Sequence, residues 1–361
     1  MTDRRKIKRT DTPDTIEERL RTVESEMESI LAEVTDERTS VEDLDPVRRQ
    51  RLAQVLASFA GRMQNKLRTI EPPADEQVMA SALQLISPDN LLRMYGHHRM
   101  RHRSEEVDDF GADPAVEQQV EPVVDFVYER YFRVSVEGMS NVHDRGRCLL
   151  VSNRSGLLPW DALMIKAAVE REHHARRRVR WLIEDFVYNQ PFLGSLVSQL
   201  GGVRACQEHA ERLLAQEELV CVFPEGIIGA TKLYRDRYRL GRFGRGGYIK
   251  LVLRTRTPIV PVAVIGAEEA HPVVGRVGVG VKLIGLDSVP ITPTFPALGP
   301  LGLIPAPTKW TVIFGEPLVF DQGQDSVSDL VLVRRYNERV RSTIQAMITE
   351  ALRRRRSVFF G

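Results

Sequence analysis

Five short apolar runs between residues 132 and 266 constrain this chain most: FRVSVEGM, CLLVSN, VRWLIE, LVCVFP and PIVPVAVIG, each bounded by Gly, Pro or Asn. Between them lie helical segments over 160–172, 207–216 and 245–256. Strand–helix alternation of this kind predicts an α/β domain with a mostly parallel central sheet flanked by helices. An amphipathic helix over 114–132 leads in, with Val116, Val120, Val123, Phe126, Val127 and Tyr131 on one side. A last helix, about 327–355, follows the strands, and no internal repeat is visible.

The first hundred residues read differently. Thr12-Pro13-Asp14 is a helix start, and Ile16, Leu20, Val23, Met27, Ile30 and Val34 then recur at spacings of four and three. That is a coiled-coil seam. It lasts under three heptads, so packing onto a neighbouring helix and self-association through the N-terminal helices both stay open. A second helix near Pro46 carries Leu52, Val55, Leu56, Phe59, Met63 and Leu67. The expected organisation is a helical, partly disordered N-terminal arm (1–111), an α/β domain (112–325) and a C-terminal amphipathic helix packing on it (326–361).

Composition narrows the function classes. The formal charge is +2, from 51 basic and 49 acidic residues, so no global field draws the chain to nucleic acid. Cys148, Cys206 and Cys221 are odd in number and far apart, which reads as reduced thiols in a cytoplasmic protein. No Cys/His cluster suggests a metal. The N-terminus has no apolar core of a signal peptide, and no uninterrupted apolar run has spanning length. A membrane role is therefore expected to be peripheral, at the inner face.

Four segments fall in order where strands should end. They are Val151-Ser-Asn-Arg-Ser-Gly-Leu-Leu-Pro-Trp-Asp161, Leu200-Gly-Gly-Val-Arg-Ala-Cys206, Val222-Phe-Pro-Glu-Gly226 and Pro258-Ile-Val-Pro-Val-Ala-Val264. In order and wording this array resembles the phospholipid/glycerol acyltransferase superfamily that includes lysophosphatidate acyltransferases. The resemblance covers roughly residues 120–320. It implies transfer of a fatty acyl group from an acyl-CoA or acyl carrier protein thioester to a lysophospholipid or glycerol-phosphate hydroxyl, with no bound cofactor and no metal. Such chemistry needs a base for the hydroxyl proton, a carboxylate to orient it, and cations or N–H groups for the phosphate and the oxyanion.

One position departs from the family pattern. Where the resemblance implies His after Asn153, this chain has Arg154, and the alternative register lands on Gly156. A guanidinium cannot accept a proton near neutrality. Three readings stay open: a catalytically inactive lipid or acyl-thioester binding protein, an enzyme whose base is Asp161 or a histidine such as His143 or His209, and a subgroup with altered chemistry. The resemblance places Asn153, Arg154, Ser155 and Asp161 at the reaction centre, with Asp161 equally readable as a helix cap. It places Arg204, Glu225 and Gly226 at the anionic substrate.

Two further stretches bear on the partner. Between Lys232 and Lys250 stand seven basic residues, including Lys232, Arg235, Arg242 and Arg245, interleaved with Tyr234, Tyr238, Phe243 and Tyr248. Directly after the Glu-Gly turn, this reads as an anion-binding loop for a lipid headgroup or a phosphopantetheine carrier. Base stacking ranks behind that, since no nucleic-acid-binding motif accompanies it. Residues 288–308 carry no charge and six prolines, which implies a loop packed on the domain or dipped into a membrane interface. Arg353–Arg356 followed by Val358-Phe359-Phe360 suits an anionic leaflet, or equally a basic helix end.

Overall fold

The computed structural model describes residues 107–361 apart from 157, 189–192, 278–288, 294–303 and 321–323. The expected N-terminal helices and most of the uncharged proline-rich loop lie outside the described residues.

In chain order the elements are α1 (Pro114–Asp125), β1 (Ser135–Glu137), β2 (Cys148–Ser152), α2 (Trp160–Glu172), β3 (Val179–Ile183), α3 (Asp185–Tyr188), α4 (Leu193–Gln199), β4 (Gly202–Arg204) and α5 (Gln207–Ala215). They continue with β5 (Leu219–Val222), α6 (Gly226–Ala230), α7 (Gly247–Thr255), β6 (Ile259–Ile265), α8 (Ala267–Ala270), β7 (Gly275–Val277), β8 (Val289–Ile291), β9 (Thr311–Phe314) and α9 (Leu330–Arg354). Helix α1 opens on a capping Asp113 that accepts the Ala115 N–H, with Pro114 in its first turn. It then widens into a single π-helical stretch, Phe126–Tyr131.

Seven strands form one sheet in the order β1-β9-β6-β2-β5-β3-β4. All pairings are parallel except β6 with β9, which run antiparallel. The apolar runs are continuous because both faces of the sheet are covered. Along β2, Cys148 and Leu150 point to one core and Leu149 and Val151 to the other. The first core contains residues of α2, with Phe132 stacked on Trp310 at 4.3 Å between ring centroids. The second contains residues of α5, α7 and α9, including Val340, Ile344 and Ile348 of α9, all fully buried.

One boundary shifts from the sequence reading. Asp108 pairs with the buried Arg180 of β3 at 2.6 Å, so the domain begins before residue 112. Helix α9 packs on the sheet and supplies part of the second core. Strand β9 was not expected at all, and β4 was legible only as a glycine-rich strand end. The basic C-terminal cluster is tied into the structure: Arg355 pairs with Glu269 at 2.5 Å, and Phe359 is buried. Among the described residues no helix is long and apolar enough to cross a membrane.

Candidate active site

Strands β2, β5 and β3 are neighbours and parallel, so the residues following each converge at one edge of the sheet. In open α/β sheets this carboxyl edge is where ligands bind. Arg154 follows β2, Glu184 follows β3, and Phe223, Pro224 and Gly226 follow β5. They border a cavity of about 310 Å³ whose other walls include Trp181 and Leu182 of β3, Cys206 and Ala210, and Arg245, Tyr248 and Leu251.

Asn153 faces away from chemistry. Its side-chain amide donates to the Val264 carbonyl at 3.0 Å and accepts the Val264 N–H at 2.8 Å, riveting the end of β2 to β6. Arg154 turns inward and is almost wholly buried. Its guanidinium donates to Asp161 Oδ1 and lies over the Phe223 ring, 5.3 Å from the centroid. Asp161 sits inside the first turn of α2 rather than at its cap, fully buried. Its Oδ2 accepts the Ser155 N–H at 2.9 Å and Oδ1 also accepts the Ala162 N–H at 2.8 Å. Burial pushes the Asp161 carboxyl upward, opposed by Arg154 and those two N–H groups. The Ser155 hydroxyl is buried and makes no hydrogen bond among the described residues.

Glu225 is a hub. Its carboxylate accepts the backbone N–H of Arg154 at 3.2 Å and that of Gly241 at 2.7 Å, and lies 3.2 Å from Lys232 Nζ. Lys232 also reaches Glu268 at 3.2 Å. Glu268 accepts the Tyr238 N–H at 2.9 Å, and the Tyr238 hydroxyl donates to Glu269 at 2.6 Å. Burial raises Glu268 to about 7. Helix α9 holds the loop from outside: Gln345 bonds the Leu240 N–H and the Tyr238 carbonyl, and Asn337 bonds the Phe243 carbonyl.

Gly229 lets this assembly close. A Cβ there would lie 2.7 Å from Glu225 Cβ and 2.9 Å from Arg154 Cβ. Gly229→Ala is expected to displace both residues, costing about 1–3 kcal/mol by overpacking. Thermal denaturation should show that modest loss.

The other residues singled out in the sequence are scattered. Arg204 is exposed and paired with Asp185 at 2.7 Å, outside the cavity lining. Lys232 is not available to a ligand, being held between two carboxylates. Arg235 is half-exposed beside Asp236, and Arg242 is exposed. Arg245 alone of the loop's arginines lines the cavity. The interleaved aromatics are mostly core: Tyr234, Tyr238 and Phe243 are buried. Neither His143 nor His209 lines the cavity, and His209 packs edge-on against Phe110. His271 lies beside the motif loop, with its Nδ1 3.6 Å from where a Gly156 side chain would begin. Asp144, His173 and His174 lie close enough together to suggest a cation, yet His173 already bonds Val142 through Nε2 and Ala175 through Nδ1.

Glu184 escaped the sequence reading. Both its carboxylate oxygens are buried without a hydrogen-bond partner among the described residues. Burial raises its pKa, with Arg154 opposing and Asp161 adding to the rise.

Known proteins are similar to this chain in sequence. Uncharacterized proteins of Mycobacterium tuberculosis and Mycobacterium bovis are each 44% identical over 257 residues, spanning 71% of this chain and 72% of theirs. One of Mycobacterium leprae is 42% identical over 71% of this chain and 70% of its own length. The family model described as Acyltransferase matches residues 133–265, from before β1 to the end of β6. This chain belongs to the acyltransferase family. The match takes in the cavity-lining Arg154 and Glu184 and also Asp161 and Glu225. A crystal structure of the 1-acyl-sn-glycerophosphate (LPA) acyltransferase PlsC from Thermotoga maritima aligns over 78% of this chain and 95% of that chain, at 16% identity and a TM-score of 0.42.

Proposed function

We propose that this protein transfers a fatty acyl group from an acyl-CoA or acyl carrier protein thioester to the hydroxyl of a lysophospholipid or glycerol-phosphate acceptor. The observation that carries the reading is the cavity at the β2/β3/β5 edge, largely apolar in its walls and holding a fixed guanidinium. Trp181, Leu182, Phe223 and Leu251 offer contact to an acyl chain. Arg154, held by Asp161, is a pre-oriented cation for the oxyanion that forms as the thioester carbonyl is attacked. Arg245 on the cavity wall suits an anionic headgroup or the phosphates of the donor. Ile227 and Ile228 directly follow Gly226 and are 45% and 64% exposed, which supports an acceptor presented at a membrane surface.

Under this reading Asp161 orients a guanidinium where the family pattern would have it orient an imidazole. A second reading draws on the same pair. Because Asp161 is committed to Arg154 and no imidazole lines the cavity among the described residues, the protein is on this reading a lipid or acyl-thioester binder without turnover.

Thiol release from long-chain acyl-CoAs and acyl carrier proteins, with and without lysophospholipid, separates the two. Acceptor-dependent release by the wild type, with Arg154→Ala lowering kcat by about 100- to 1,000-fold, is the expected outcome. A silent wild type alongside an active Arg154→His would establish the binder.

A further inference from the structure

We propose that Glu184 is the general base of this site, taking the acceptor hydroxyl's proton in place of the absent histidine. The assignment rests on the acyl-transfer reading above and deepens it.

Every other carboxylate of the assembly is committed. Asp161 serves the Arg154 guanidinium and two backbone N–H groups. Glu225 serves two backbone N–H groups and Lys232. Glu184 alone offers two oxygens with no hydrogen bond among the described residues. A buried carboxylate left in that state is costly, and such groups concentrate where a ligand completes them. Its backbone carbonyl accepts the Val187 N–H at 3.0 Å and the Tyr188 N–H at 3.0 Å, so the start of α3 fixes it in place. Its Oε1 lies 3.4 Å from where a Gly226 side chain would begin, against the turn that carries Glu225. It shares the cavity with Arg154. The charged groups that act on it most are Arg154 and Asp161. Burial raises its pKa above the ordinary carboxylate value, with Arg154 opposing, which makes the carboxylate a stronger base.

The step balances. As the hydroxyl oxygen attacks the thioester carbon, its proton passes to the Glu184 carboxylate and the C–O bond forms. The carbonyl π pair moves onto the oxygen, where Arg154 faces it. The pair then returns, the C–S bond breaks, and the thiolate sulfur takes the proton from Glu184. The products are an ester and a thiol, and Glu184 is again a carboxylate.

The test uses the full chain with palmitoyl-CoA and a lysophosphatidate acceptor. Glu184→Gln keeps shape and removes the base, so kcat should fall about 100-fold or more while the dissociation constant for palmitoyl-CoA stays within about threefold. His271→Gln should keep kcat within about threefold of wild type. In Glu184→Ala, added formate should restore part of the turnover, which a folding defect would not permit. An active wild type whose kcat survives Glu184→Gln overturns this assignment and leaves acyl transfer standing. So does formate failing to move the turnover of a folded Glu184→Ala that still binds palmitoyl-CoA. A wild type with no acceptor-dependent release removes the acyl-transfer reading, and the base with it.

Discussion

Asp161→Ala is expected to lose about 3–5 kcal/mol of folding stability, together with all turnover. The carboxylate is fully buried and holds three donors: the Arg154 guanidinium, the Ser155 N–H and the Ala162 N–H. Alanine would strand a guanidinium in a site nearly closed to water and orphan two backbone groups at once. The desolvation of the stranded charge dominates, because each lost neutral hydrogen bond is worth only about 1 kcal/mol. Adding Arg154→Met to Asp161→Ala should therefore recover much of the lost stability and none of the activity. Urea unfolding of the four proteins of that cycle gives the coupling energy directly. A double variant no more stable than Asp161→Ala would mean that the backbone caps, not the ion pair, hold the loop.

Lys232→Met is expected to be about as damaging, by about 3–5 kcal/mol, and only away from acid. Lys232 lies 3.2 Å from both Glu225 and Glu268, so its loss leaves two buried carboxylates facing each other. Glu268 titrates near 7 in the folded protein against an ordinary value of 4.5. A carboxyl raised on folding leaves stability intact below the unfolded value, then removes it as pH climbs through the folded one. Without Lys232, which pulls Glu268 downward, that loss grows and extends to higher pH. The gap between wild type and Lys232→Met should thus be small near pH 4.5 and largest above pH 8, measured by denaturant titration. Glu268→Gln in the Lys232→Met background should flatten the dependence. A gap independent of pH would remove Glu268 from the account.

Much of the fold could be read from the residues because the parallel strands are covered on both faces. CLLVSN, LVCVFP and PIVPVAVIG announce themselves as apolar runs for that reason, and they became β2, β5 and β6. Strand β9 did not announce itself. Thr311–Phe314 follows a proline-rich loop, and its place between β1 and β6 comes from tertiary pairing that no local pattern encodes.

The candidate site divides in the same way. Segment order put Asn153 to Asp161 and Glu225-Gly226 after strand ends, and the structure has them running from the ends of β2 and β5 into the helices that follow. Which way each side chain turns was not written locally. Asn153 clasps β6, Arg204 leaves the cavity for Asp185, and Lys232 disappears between two acids. Glu184 looked like the polar end of an apolar run, with Asp185 beside it. The available signal was that VRWLIE ends in an acid at the same sheet edge as the two motif-bearing strands.

The order of strands in the sheet has a consequence for how the chain folds. Strand β1 pairs only with β9, Ser135 opposite Thr311. That closure spans most of the domain and carries a large loop-entropy cost, so edge docking belongs to the slow, late part of the pathway. Strands β2, β3 and β5, which lead into Arg154, Glu184 and Glu225, pair over much shorter separations. The reacting edge can therefore be laid down first, around a nucleus from which β1 and β9 are still missing. Substitutions in β1 or β9 should then accelerate unfolding and leave the refolding rate nearly untouched, whereas substitutions in β2 or β5 should slow refolding.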